Sequence, residues 1–176
     1  DLNNLISAVD ILLNKKGLFI FEEPYLGSMF EKTSYDQIYD EHIFLFSVTS
    51  INKIFKLYDM ELIDVLPQIT HGGSMRYTLS HKGVNKVSKR VVDLIENERS
   101  LGLDKASTYS NFATEIDNIK QTLVELLVEL KNRNKKVVAY GAASKSTTVT
   151  NYFGITPDLV ECIFDTTPIK HSTFSP

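Results

Sequence analysis

The sequence predicts a mixed α/β fold, and three observations lead to that class. Residues 3–15 carry apolar side chains at helical spacing, and a short apolar run at 18–21 follows them. Two later segments, 61–66 and 75–80, alternate apolar and polar residues. Toward the C-terminal end, two apolar runs flank a helical stretch that opens with a turn of small residues. Because helices repeat every 3.6 residues and strands every two, these patterns predict helices and strands in alternation.

The first elements are a helix at 3–15 and a short buried strand at 18–21. Gly17 stands where the C-terminal cap of the helix belongs. The strand ends in two neighbouring carboxylates, Glu22 and Glu23, and ligands in open α/β sheets bind at the carboxyl ends of strands. These two residues are therefore candidates for a functional edge, with solvated loop residues as the alternative.

The same periodicities predict the remaining elements. Segments 61–66 and 75–80 pair as an antiparallel hairpin connected by residues 67–73. Helices follow at 84–100 and 105–132. Apolar residues in the longer helix repeat every seven residues, which is typical of a coiled-coil dimer contact. Because the repeat covers fewer than three heptads, burial of this stripe against a neighbouring sheet is favoured over a homodimer. The other elements are a helix after the cap candidates Ser47 to Ser50, a strand at 135–140, a helix that Gly154 ends, and a strand at 159–164.

One stretch, residues 35–42, concentrates groups that suit proton transfer. His42 is the candidate general base, because its ordinary pKa lies near neutral and the carboxylate of Glu41 precedes it. Adjacent residues cannot share one face of a strand, so this pair is predicted in a loop or a short turn of helix. The aromatic run 43–46 is expected to shield the site from water. The alternative is an imidazole that a backbone carbonyl satisfies in the core.

A second candidate site is the turn between the last two strands. Gly141, Ala142 and Ala143 are small enough to let a phosphate approach the backbone, and a helix N-terminus offers free N–H groups. Lys145 adds a positive charge. Asp165 follows the next strand, where an acidic side chain meets a ribose hydroxyl in dinucleotide folds. The turn lacks both the G-x-G-x-x-G fingerprint and the second glycine of a P-loop, so a purely structural turn stays an alternative.

The composition argues against several classes of binding partner. The 19 basic and 22 acidic residues leave a net charge of −3, which gives no electrostatic case for nucleic acid or an anionic membrane. No apolar run of membrane-spanning length occurs. Four histidines and one cysteine without ligand spacing predict no metal site. The lone Cys162 rules out an internal disulfide and indicates a reduced, cytoplasmic setting.

Taken together, the motifs resemble the S-adenosylmethionine-dependent C-methyltransferases of nucleotide-activated deoxysugars, such as NDP-hexose C-3-methyltransferases. Where that family usually has a histidine, this chain has Asp40. The stretches that carry the resemblance are residues 38–42, 70–76 and 140–145, with 22–25 and 164–170 in support.

The resemblance implies an order of domains. Residues 1–82 would be the C-terminal part of a class I methyltransferase sheet, which is Rossmann-like. Residues 83–133 would be connecting helices, and 134–176 would be part of a second Rossmann-like α/β domain. The S-adenosylmethionine site would precede Asp1, so this chain is expected to be a fragment that lacks the N-terminal half and is inactive alone.

The resemblance also implies roles. His42 would be the base, Glu41 its orienting partner, and Tyr39 a hydrogen-bond donor to the enolate that attacks the methyl group of S-adenosylmethionine. His71 and Arg76 would contact the sugar or phosphate of a nucleotide-diphosphate sugar, whose diphosphate would lie at the turn described above. A non-catalytic nucleotide-binding module and a structural dimerising domain are the alternatives.

Overall fold

The computed structural model describes residues 1–175, which group into two compact units. The first unit consists of Asp1–Ser34 and Phe44–Ser110, and the second of Tyr35–Ile43 and the residues from Asn111 onward. The predicted boundaries follow residues 82 and 133, whereas the first unit continues to Ser110 and the segment Tyr35–Ile43 groups with the C-terminal residues. The boundaries of evolutionary domains stay a prediction.

The first unit holds most of the helices and one sheet. Asp1 caps the first helix by accepting a hydrogen bond from the Asn3 N–H at 2.9 Å. Ser47 and Ser50 form a reciprocal capping box at the third helix. The elements are α1 (Leu2–Leu12), β1 (Phe19–Pro24), α2 (Leu26–Lys32), α3 (Val48–Lys56), β2 (Met60–Gln68), a 3₁₀ turn (Thr70–Gly72), β3 (Ser74–His81), α4 (Lys89–Ser100) and the first turn of α5 (Ala106–Asn132).

The sheet of this unit is antiparallel, with β3 between β1 and β2. The predicted hairpin is confirmed, since Val65 lies opposite Tyr77. The strand predicted at 18–21 is present as β1, but its predicted burial is wrong for one face: Leu18 and Ile20 are 49% and 53% exposed. Burial along β1 alternates, because one face packs on the core and the other does not.

The core of the first unit lies between one face of the sheet and the helices α1, α3 and α4. Tyr77 at its centre is fully buried, and its ring stacks on Phe21 at a centroid distance of 5.0 Å. Each such buried side chain contributes about 1.5–3 kcal/mol relative to an exposed one. The buried apolar residues of this cluster are Ile6, Tyr25, Val48, Ile51, Phe55, Met60, Leu62, Val65, Met75, Tyr77, Leu79 and Val91.

A buried carboxylate joins α4 to the start of α3. Glu98 is only 2% exposed. Its Oε1 accepts hydrogen bonds from the hydroxyl of Tyr25 at 3.0 Å and the N–H of Val48 at 2.6 Å. Its Oε2 accepts one from the N–H of Thr49 at 2.8 Å. Glu98 therefore satisfies two of the N–H groups that the first turn of a helix leaves without partners. Burial, together with this carboxylate, raises the pKa of Tyr25.

The second unit contains a β-α-β arrangement built on two short parallel strands. These are β4 (Ala139–Tyr140) and β5 (Ile163–Phe164), with α6 (Ser144–Phe153) between them and a 3₁₀ turn (Pro168–Lys170) after them. Both predicted strands are present and run parallel, but each is shorter than predicted. Gly154 ends α6 in the left-handed conformation with φ of 67°, as a C-terminal glycine does.

Helix α5 is the longest element, and its apolar stripe is divided. Of the residues in the seven-residue repeat, Phe112 and Ile116 are buried, whereas Ile119 and Leu126 are 44% and 50% exposed. The prediction that the whole stripe is buried is therefore right for one part only. None of the described helices combines the length and apolar character that crossing a membrane requires.

Candidate functional site

The segment Tyr35–Ile43 belongs to the second unit and lies on α6. The ring of Tyr35 stacks on Phe153 at 5.2 Å, and the Thr148 hydroxyl donates to the Ile38 carbonyl at 3.0 Å. Burial raises the pKa of Tyr35 to about 12. The sequence predicted this stretch in the first domain. Its contacts with α6 join residues more than a hundred positions apart, and such contacts leave no local pattern in the sequence.

The candidate base lies in a tight turn, as its sequence predicts. The His42 N–H donates to the Tyr39 carbonyl at 3.1 Å, and the two rings meet edge to face at 5.1 Å. Burial raises the pKa of Tyr39, and a nearby carboxylate, Glu41, raises it further through charge and a hydrogen bond. One turn thus gathers a phenol, a carboxylate and an imidazole. Shielding by the aromatic run stays a prediction; of its residues, Ile43 is 83% exposed and Phe44 51%.

The small-residue turn before α6 leaves space for a ligand. Gly141 has φ of 97°, a conformation that side chains other than glycine rarely adopt, and no atom lies within 4 Å of where its Cβ would be. The cap residue Ala143 has no side chain that accepts from the first turn of α6. The start of this helix therefore lacks a side-chain cap, which leaves its positive end suited to an anion.

Asp165 has an internal role that sequence reasoning missed. Its carboxylate accepts hydrogen bonds from the backbone N–H groups of Thr167 at 2.8 Å and Ala142 at 2.7 Å. Lys170 donates to the Ala142 carbonyl at 2.7 Å and lies 3.6 Å from the carboxylate. The Thr167 hydrogen bonds and then that of Ala142 hold the pKa of Asp165 well below its ordinary value. The N–H of Ala142, which was predicted to face a phosphate, is bonded to Asp165.

Lys145 is paired with a residue that the sequence did not single out. Its ammonium lies 3.4 Å from the carboxylate of Asp36, and about a third of each side chain is exposed. Asp36 belongs to the same eight-residue stretch as the candidate base. The second unit therefore brings the two candidate sites, the turn with His42 and the start of α6, onto one helix.

His71 and Arg76 belong to the first unit, at the end of its hairpin. Both are exposed, and His71 adopts a left-handed backbone with φ of 51°. The Arg76 guanidinium lies 3.1 Å from the carboxylate of Glu22 on the neighbouring strand. Glu22 also accepts a hydrogen bond from the Thr70 hydroxyl at 2.7 Å. That hydrogen bond, Arg76 and the charge of His71 lower the pKa of Glu22.

Comparison with known proteins identifies the family. Residues 69–176, well over half of the chain, match the family model described as C-methyltransferase C-terminal domain. The chain belongs to this family, which confirms the resemblance to C-methyltransferases. Over 177 aligned positions the chain is 28% identical to C-methyltransferase NovU of Streptomyces niveus. The alignment covers all of this chain and 42% of that protein, so the chain spans less than half the length of this curated relative.

Proposed function

We propose that this chain is the C-terminal part of a methyltransferase that C-methylates a nucleotide-linked keto-deoxysugar through an enolate. The chain belongs to a C-methyltransferase family. The observation that carries the proposal is the turn that brings Tyr39, Glu41 and His42 together. Proton abstraction next to a ketone needs a base, a group that orients the base, and a donor to the developing oxyanion. The three side chains are of the types that these roles require.

The roles follow from the chemistry of each group. The ketone acidifies the adjacent C–H bond, and the neutral imidazole of His42 removes that proton. Glu41 stabilises the resulting imidazolium. A tyrosine phenol is protonated at neutral pH, and the pKa of Tyr39 is raised further, so Tyr39 can exchange its hydrogen bond to Glu41 for one to the enolate oxygen. A positioned base contributes about 10²–10⁴ in rate, and a preorganised oxyanion donor about 10²–10³.

The nucleotide diphosphate is proposed to bind at the start of α6. Three features support this location: the open space beside Gly141, the absence of a side-chain cap at Ala143, and the charge of Lys145. Asp36 is the partner of Lys145, at 3.4 Å. A phosphate would therefore compete with Asp36 for the ammonium.

The methyl donor of this proposal is S-adenosylmethionine, which supplies an electrophilic methyl group when bound. The described part of the first unit has three antiparallel strands and lacks a small-residue turn from strand to helix like that at Gly141. We therefore propose no residue of this chain as a ligand for the donor. Titration calorimetry of the 176-residue chain with S-adenosylmethionine should show no binding. Micromolar affinity would contradict the proposal that no residue of this chain binds the methyl donor.

The base is tested in the enzyme that contains this chain. His42→Asn should abolish both methyl transfer and solvent deuterium exchange at the carbon next to the ketone, while the affinity for the nucleotide sugar changes little. The reason is that a base acts mainly in the transition state. His81→Asn is the matched control, because His81 contacts the carbonyl of Leu13 at 3.2 Å and has no proposed role in chemistry. Normal deuterium exchange in His42→Asn would show that another residue takes the proton.

A further inference from the structure

The carboxylate of Glu22 joins two parts of the hairpin end in the first unit. Glu22 and Arg76 are direct partners across β1 and β3. Oε2 of Glu22 accepts from Nη2 of Arg76 at 3.1 Å, and Oε1 accepts from the Thr70 hydroxyl at 2.7 Å. The same Arg76 nitrogen lies 3.3 Å from Oε1 of Gln68. One carboxylate thus sets the direction of a guanidinium and holds the start of a turn.

That turn has a conformation that needs support. His71 at its centre has φ of 51°, a left-handed backbone that is uncommon for residues other than glycine. The Gly73 N–H closes the turn on the Thr70 carbonyl at 2.8 Å, and the Ser74 hydroxyl donates to the same carbonyl at 3.1 Å. Unfavourable backbone conformations of this kind cluster at sites of function, where surrounding contacts maintain them.

The position of these groups argues against a role in stability alone. About 45% of the Arg76 side chain and 31% of the Glu22 side chain are exposed. Exposed ion pairs contribute little to folding, because water screens the charges and ordering two side chains costs entropy. Arg76 nevertheless has two partners, Glu22 and Gln68, and the charge of His71 also acts on Glu22, so the two basic side chains lie near one carboxylate. A guanidinium with a fixed direction suits recognition of an anionic or hydroxyl-rich ligand.

We propose that Glu22 is a positioning residue for the nucleotide sugar. It holds the Arg76 guanidinium and the Thr70–Gly72 turn so that Arg76 and His71 are presented to the ligand. This inference rests on the proposed function and on the role that the family resemblance implies for Arg76 and His71, which is contact with the sugar or its phosphate. Glu22 itself makes no contact with the reacting atoms in this scheme. Its loss should therefore change binding and leave proton abstraction at saturating substrate nearly unchanged.

Asp64 provides a matched control within the same unit. Its carboxylate also accepts from one hydroxyl, that of Ser88 at 2.6 Å, and from the guanidinium of Arg90, whose Nε lies 3.0 Å away. Glu22→Gln and Asp64→Asn thus remove the same kind of charge from the same kind of network. A purely structural role for Glu22 predicts similar effects of the two variants.

The experiment uses the enzyme that contains this chain and a nucleoside-diphosphate 4-keto-deoxyhexose as substrate. Glu22→Gln should raise KM for this substrate by roughly tenfold, the loss expected when one charge-assisted contact to a ligand is disordered. The rate of deuterium exchange at saturation should fall by less than about twofold, because the base is untouched. Glu22→Asp should recover part of the affinity. The double variant Arg76→Ala/Glu22→Gln should bind the substrate no more weakly than Arg76→Ala alone, because the two residues act as one unit.

A second readout does not depend on activity. Amide hydrogen exchange at Gly73, whose N–H closes the turn, should accelerate in Glu22→Gln and not in Asp64→Asn. Equal KM values and equal amide exchange in the two variants would overturn the inference and leave the proposed function intact. A wild-type enzyme that neither methylates this substrate nor exchanges its proton would instead overturn the proposed function.

Discussion

Removal of the Glu98 carboxylate should destabilise the first unit more than any single surface change. In Glu98→Ala, the hydroxyl of Tyr25 and the N–H groups of Val48 and Thr49 lose the acceptor that they share. Two of these donors are in the first turn of α3, the third is the side chain of Tyr25 just before α2, and Glu98 itself is 2% exposed. Water cannot replace the carboxylate without entering the packed contact between α3 and α4.

The magnitude follows from the number of donors left unsatisfied. Each buried donor without a partner costs about 1–3 kcal/mol. Part of this cost is offset, because the folded protein no longer has to bury a charge. We therefore expect Glu98→Ala to lower the free energy of unfolding by about 3–4 kcal/mol. Glu98→Gln keeps one acceptor oxygen and loses the other, so a cost of about 1–2 kcal/mol is expected.

Urea unfolding followed by far-ultraviolet circular dichroism measures this difference. With a slope of about 2 kcal/mol per molar urea, a loss of 3 kcal/mol lowers the midpoint by about 1.5 M. Glu96→Ala is the control on the same helix, because Glu96 is exposed, and its effect should stay within about 0.5 kcal/mol. If Glu98→Ala unfolds at the same urea concentration as Glu96→Ala, the buried hydrogen bonds do not stabilise the unit as argued.

Further predictions concern the start of α6. Lys145→Ala should weaken binding of a nucleoside diphosphate, and calorimetry at rising salt should show the difference from wild type shrinking, because salt screens exposed charges. Asp36→Asn should tighten the same binding by up to about fivefold, since an exposed pair contributes at most about 1 kcal/mol; unchanged affinity would separate Asp36 from the ligand site. Asp165 has a lowered pKa, so its stabilising effect is present above the ordinary value near 4 and is lost as the pH falls below it. The urea midpoint should accordingly fall more between pH 5 and pH 3 in wild type than in Asp165→Asn, and parallel curves would contradict the bonds to Ala142 and Thr167.

Local patterns in the sequence predict much of this fold correctly. The alternation around Val65 and Tyr77 predicts the hairpin, and the apolar repeat predicts α5 to within one residue at its start. Gly154 marks the end of α6 because its left-handed backbone is a local requirement. These features depend on neighbours a few positions away, which is why periodicity and caps reveal them.

Features that depend on distant partners were not predictable in this way. The pairing of β1 with β3 leaves no signal in β1 itself, whose apolar residues suit either a buried or a half-exposed strand. The position of Asp165 in the sequence is equally consistent with a ligand contact and with an acceptor of internal hydrogen bonds. In the sequence Glu98 is one polar residue among several on its helix, whereas in the structure it is buried and caps the start of α3. The sequence identified His42, Arg76 and the pair Glu22 and Glu23 as candidates, whereas Asp36 became a candidate only through its contact with Lys145.

The docking of residues 35–43 on α6 has a consequence during synthesis. Ile38 and its partner Thr148 are 110 residues apart, so the segment leaves the ribosome long before the helix exists. At about 5–20 residues per second, the delay is roughly 5–20 s. During that time the residues on either side of the segment, which belong to the first unit, can already fold together. The segment that carries the candidate base is then a loop held at both ends by a folded unit, and it gains its order only when α6 has been made.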